Sequence, residues 1–153
     1  MTDTRLRWLS ADLADRLKDT SAEKRRQVVL AACSRAVDQS GLTDQIASSV
    51  LARLKAGDEI DGLARRDLDG LAAAWDKEAW KEVDSTHTGD LSVHAASFNK
   101  ARAANALVYA LDQGKVSQDS WLAAAEAIYE ALVCLDDDPK GAELARIMDK
   151  ILS

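Results

Sequence analysis

Apolar residues recur at helical spacing along almost the whole chain. Leu6, Leu9, Leu13 and Leu17 fall within one narrow arc and predict a first helix over about Thr4 to Lys18. Thr20 stands three residues before Glu23, the spacing of a capping box, so Thr20 or Ser21 opens a second helix. Its inward arc holds Val28, Val29, Ala32, Cys33, Ala36 and Val37, and Gly41 ends it with a permissive backbone. Thr43 caps a third helix that turns Ile46, Val50 and Leu54 inward before Gly57 closes it. A fourth starts at Asp58 or Asp61 and runs to about Val83, with Leu68, Leu71, Ala72, Trp75, Ala79 and Val83 on one face. Gly62 and Gly70 weaken that helix and mark places for a kink.

Asp84 to Asp90 is the most polar and least periodic stretch, and reads as a loop. A fifth helix, about Leu91 to Gln113, is Ala-rich almost all round, as expected of a rod at the centre of a bundle. Gly114 stops it, and Ser117 caps a sixth with Trp121, Ala125, Ile128, Leu132 and Leu135 in one stripe. Asp138 followed by Pro139 opens a seventh, which offers Leu144, Ile147, Met148, Ile151 and Leu152. No segment sustains period-two alternation. The expectation is an all-α fold without a sheet: seven helices in one domain over 1–153, arranged as an orthogonal bundle or a short helical-repeat array.

A short self-match bears on the second arrangement. The stretch from Ala36 to Gln45 aligns without gaps on Ala110 to Asp119, sharing Ala, Asp and Gln at the start. Val37 pairs with Leu111, Leu42 with Val116 and Thr43 with Ser117, an apolar residue before a hydroxyl cap in both. One account is a duplicated three-helix unit, 22–83 and 91–152. The simpler account is convergence of turn chemistry.

Composition narrows the function classes. The 153 residues include 28 Ala, 19 Leu and one Pro, with 20 basic against 26 acidic side chains and a net charge of −6. An acidic chain is a poor match to the basic field that nucleic acid requires. No apolar run approaches the ~20 residues of a membrane span, and Met1 to Ser10 holds no signal-peptide core. Cys33 and Cys134 sit in apolar helical patterns and read as small hydrophobes rather than as a disulfide framework. A cytoplasmic protein of a bacterium with a G+C-rich genome is the compositional expectation. No phosphate-binding glycine loop, nucleophile elbow or HExxH pattern occurs, and no cofactor is expected.

Chemistry could reside in three places. Asp84, His87, Asp90 and His94 bring imidazoles and carboxylates into one short stretch, a donor set able to hold a metal or to supply a general base. On the central helix His94, Phe98, Arg102, Asn105 and Tyr109 share one arc. Arg102 and Asn105 on so apolar a rod need partners, because unpaired polar groups inside cost stability. Glu126 or Glu130 on the next helix could supply them, either as a structural network or as the wall of a small-ligand pocket. Asp119, Glu126, Glu130 and Asp137 line up on the sixth helix and, with Asp136 and Asp138, form an acidic edge. Such a row is ordinarily a solvated face.

Trp8 lies nearly opposite the leucine arc of its helix, and Trp80 lies off the arc of Trp75. Exposed tryptophan is enriched where proteins bind one another. The leading expectation is therefore a non-enzymatic protein-binding module, such as an immunity protein or antitoxin that blocks a basic toxin, or an adaptor. Its contacts would be Trp8, Trp80, Asp119, Glu126, Glu130 and Asp137. The alternatives are an enzyme or metal protein centred on residues 84–94, and a small-ligand-binding bundle.

Overall fold

Ser10 divides the first predicted helix in two in the computed structural model, which describes residues 3–85, 91–112, 120–135 and 139–153, with side chains at 3–81, 96–112, 121–135 and 142–153. Eight helices result among the described residues, where the periodicity predicts seven: α1 (Leu6–Leu9), α2 (Ala11–Asp19), α3 (Ala22–Ser40), α4 (Gln45–Ala56), α5 (Gly62–Ser85), α6 (Leu91–Asp112), α7 (Ser120–Cys134) and α8 (Pro139–Leu152). There is no strand among the described residues. The fold is all-α.

The break at Ser10 has a local cause. Its backbone is extended and its Oγ accepts from the Leu13 N–H at 3.1 Å, so the serine caps α2 instead of continuing α1. The four leucines therefore cease to share an arc. Leu6 and Leu17 are fully buried, Leu13 is partly buried, and Leu9 is turned out to 52% exposure.

The remaining boundaries follow side-chain chemistry. Ser21 rather than Thr20 opens α3, its Oγ accepting from Lys24 N–H at 3.2 Å. Gly41 and Gly57 end α3 and α4 at φ of 73° and 77°, the left-handed conformation that a side chain disfavours. The expected Thr43 cap is not the one used: Asp44 occupies the cap position of α4 without a capping side-chain bond. Its carboxylate is engaged elsewhere, accepting from Trp75 Nε1 at 3.3 Å, and so ties α4 to α5. Asp61 starts α5 by accepting from Ala64 N–H at 2.7 Å. That helix then runs unbroken through Gly70, because a single glycine costs only about 1 kcal/mol in a helix of this length.

Alanine decides the packing. Ala101, Ala103, Ala104 and Ala106 of α6 are fully buried, as are Ala124, Ala125, Ala127 and Ala131 of α7. With so little side chain at their contact, the two helix axes can approach closely. α6 packs against α5 on one flank and α7 on the other, and α3 lies across both. α8 closes over α3, while α1 and α2 rest on α7. Leu107, Ile128, Val28, Val29, Leu68 and Leu144 fill the spaces between the alanine contacts. Of the second copy of the short self-match, Ala110 to Asp119, residues 113–119 lie outside the described residues.

Candidate functional site

The polar residues of α6 find their partners on both neighbouring helices. Arg102 Nη1 donates to Glu130 Oε2 of α7 at 2.7 Å, and Nη2 donates to Asp76 Oδ1 of α5. Asn105 Nδ2 donates to Asp76 Oδ2 at 3.0 Å and back to the Ala101 carbonyl at 2.8 Å. Arg102 Nε is buried without an acceptor, an uncompensated polar atom inside the seam. Asp76, on the exposed-looking stretch between Trp75 and Trp80, is the member the periodicity misses. Its only signal in the sequence is its position next to Trp75 on the inward face of α5.

A second guanidinium completes the seam. Arg5, at the N-cap of α1, donates from Nε to Glu126 Oε2 at 2.7 Å and from Nη2 to Glu130 Oε1 at 2.8 Å. Its backbone N–H also donates to Glu126 Oε1 at 3.0 Å, beside the Thr4 hydroxyl at 3.1 Å. The guanidinium carbon lies 4.5 Å from the ring centre of Tyr129 and 6.0 Å from that of Tyr109, within cation–π range. Burial works against the Arg5 charge. The hydrogen bonds and charges of Glu126 and Glu130 more than offset it, so the guanidinium holds its proton more tightly than a free arginine does.

This arrangement corrects the picture of a solvated acidic row. Glu130 is only 2% exposed and accepts from two arginines, and Glu126 is mostly covered by the N-terminal segment. The reason lies in the register of α7, which turns both carboxylates toward α1 and, for Glu130, toward α6. The two other acidic residues expected there, Asp119 and Asp137, lie outside the described residues. Of the central arc, Phe98 sits 5.4 Å from the Arg102 guanidinium and Tyr109 stands beside Arg5. The side chain of His94 lies outside the described residues. So do His87, Asp90 and the side chain of Asp84, which leaves the expected metal-binding stretch without a structural description. Among the described residues no group of three or more potential metal ligands converges, and no helix is long and apolar enough to cross a membrane.

Both off-arc tryptophans are on the surface. Trp8 is 76% exposed and Trp80 is 71% exposed. Trp8 stands edge-on to Tyr129, ring centres 6.3 Å apart and planes at 87°. The exposed Leu9 next to it borders a groove of about 420 Å³ between α2, α7 and α8, lined by Leu13, Leu132, Ala145 and Met148 with Arg16 and Asp149 at its rim. The same corner of the molecule thus holds an apolar edge outside and the charged seam beneath it. Comparison of the chain with protein-family models, with curated proteins and with solved structures finds no match.

Proposed function

We propose that this chain is a non-enzymatic protein-binding module that engages its partner through the Trp8 corner, with Trp80 as a second contact. The observation that carries the reading is the placement of Trp8, edge-on to Tyr129 yet three-quarters open to solvent. Covering a large aromatic side chain is worth about 1.5–3 kcal/mol. Leu9 and the adjoining groove extend the apolar area. Polar Arg16 and Asp149 rim it, as charged residues rim a typical interface core. The net charge of −6 favours a basic partner, because opposite charge speeds encounter. An immunity protein or antitoxin against a basic toxin fits these properties, as does an adaptor.

The test is site-specific photo-crosslinking from positions 8 and 80 in cells, with Glu23 as a control position, followed by identification of the adduct. A partner captured at positions 8 or 80 and not at 23, with capture at 80 lost on Trp8→Ala or capture at 8 lost on Trp80→Ala, is the expected result. Capture that both alanine variants leave unchanged would sink the reading.

A further inference from the structure

We infer that Glu126, Glu130, Tyr109 and Tyr129 form a guanidinium-binding cage, that Arg5 is its built-in occupant, and that an arginine side chain from a partner displaces Arg5 from it. Carboxylates in a row would carry no such conclusion by themselves. Here the ligand chemistry is visible, because a guanidinium is seated in the site with its Nε and Nη2 bonded to carboxylates and two aromatic rings beside it. Glu126 and Glu130 stand one helical turn apart and take the Nε and Nη2 edges at 2.7 and 2.8 Å. Tyr129 underlies the guanidinium and Tyr109 flanks it. Two carboxylates set to receive separate edges of a planar fork suit arginine and not the compact ammonium of lysine. The seam also carries spare negative charge: among the described residues, Asp76, Glu126 and Glu130 form ion pairs with Arg5 and Arg102 alone.

The occupant is attached in a way that lets it leave. α1 is four residues long, far below the length at which a helix holds itself together in water; its N-cap Arg5 makes no side-chain cap bond, and one side-chain bond, from Leu6 N–H to the Thr4 hydroxyl at 3.1 Å, steadies its start. It is kept in place by docking, through Leu6, Thr4 and Arg5, and the extended Ser10 separates it from α2. Short segments held in this manner open at a cost well below that of global unfolding. Lifting residues 3–9 would empty the cage and free the Tyr129 face together with Trp8. The source of the incoming arginine rests on the protein-binding reading above, whereas the cage itself does not.

The experiment is a titration of the full chain followed by NMR at the arginine Nε–H and tryptophan indole signals. The probes are N-acetyl-arginine amide, free arginine, N-acetyl-citrulline amide and N-acetyl-lysine amide. Saturable shifts of the Arg5 and Trp8 signals with the arginine probes, and not with citrulline or lysine, are expected. Arg5→Ala, checked for folding by circular dichroism, should bind the arginine probes at least roughly tenfold more tightly, since the competing occupant is gone. Preference for the amide over free arginine marks a chain-borne ligand, and the reverse preference marks a small metabolite. A folded Arg5→Ala that shows no saturable binding, or that takes the lysine probe equally well, overturns the cage. If that variant does not fold, the wild-type titration decides alone, and absence of a saturable, guanidinium-selective shift overturns it. Binding of arginine with partner capture unaffected by Trp8→Ala would uphold the cage while removing the surface reading.

Discussion

α6 faces two unlike environments. Toward α7 and α3 it presents mainly alanine, and the polar contact there is weak, the Cys134 thiol of α7 donating to the Asn99 carbonyl of α6 and the Ala36 carbonyl of α3. Toward α5 and the C-terminal part of α7 it presents Arg102 and Asn105, which hold three helices together through Asp76 and Glu130. The first contact is non-directional and can be made in several registers by small residues. The second has fixed donors and acceptors and is satisfied in one register only. The contrast teaches a division of labour within one helix: burial supplies most of the stability, and the ionic seam selects which arrangement of the rods is adopted.

The largest test of that division is Glu130→Ala. It strands Arg102 and Arg5 against a gap, and should cost about 3–5 kcal/mol in chemical denaturation. If the seam selects register more than it stabilises, Arg102→Met with Glu130→Leu should recover most of that loss. The double variant should then show broadened NMR lines, or a second set of signals, from α6. A double variant as destabilised as Glu130→Ala would instead make the seam a main source of stability. On the apolar side Leu107→Ala should cost about 2–5 kcal/mol through the cavity it leaves, while the chemical shifts of Arg102 and Asn105 stay in place. Loss of those shifts would mean that the two faces are not separable.

The smallest effect concerns Cys33, which is fully buried in the apolar half. Burial pushes its thiol up to about 12. In the unfolded chain the thiol ionises near 8.5, so the two states bind protons equally below that pH. Between the two values the unfolded form gains from ionisation, and stability should fall as the pH rises through that window. At pH 8 alkylation of Cys33 should be no faster than global unfolding. Rapid labelling under native conditions would show that the alanine centre opens locally.

Much of the apolar half is legible in the sequence because it is periodic. Val28, Val29, Ala32, Cys33, Ala36 and Val37 form one arc in the chain and one buried stripe in α3. The all-round alanine of α6 likewise announces a central rod. The polar seam is legible only as an anomaly. Arg102 and Asn105 stand out against their neighbours and point to Glu126 or Glu130 as partners; Glu130 takes Arg102, while Asn105 turns to Asp76 instead. Asp76 and Arg5 carry no such mark, since each sits in a stretch of ordinary charged residues and acquires its role only through long-range packing. The division of the first helix escapes for a different reason: Leu6, Leu9, Leu13 and Leu17 fit one arc so well that the capping capacity of Ser10 is outweighed. Thr43 is passed over because Asp44, one residue on, occupies the cap position while its carboxylate reaches Trp75.

The alanine contact between α6 and α7 makes this molecule respond asymmetrically to mutational drift. Alanine gives up no rotamer freedom on folding, and the only smaller residue is glycine, whose penalty arises largely in the unfolded chain. Ala103, Ala104 or Ala124 can therefore hardly be hollowed out, while almost any other replacement adds atoms at a fully buried position. Over generations such a centre would be sheltered from the loss of bulk that wears down leucine-filled interiors, and would fail mainly when something is added.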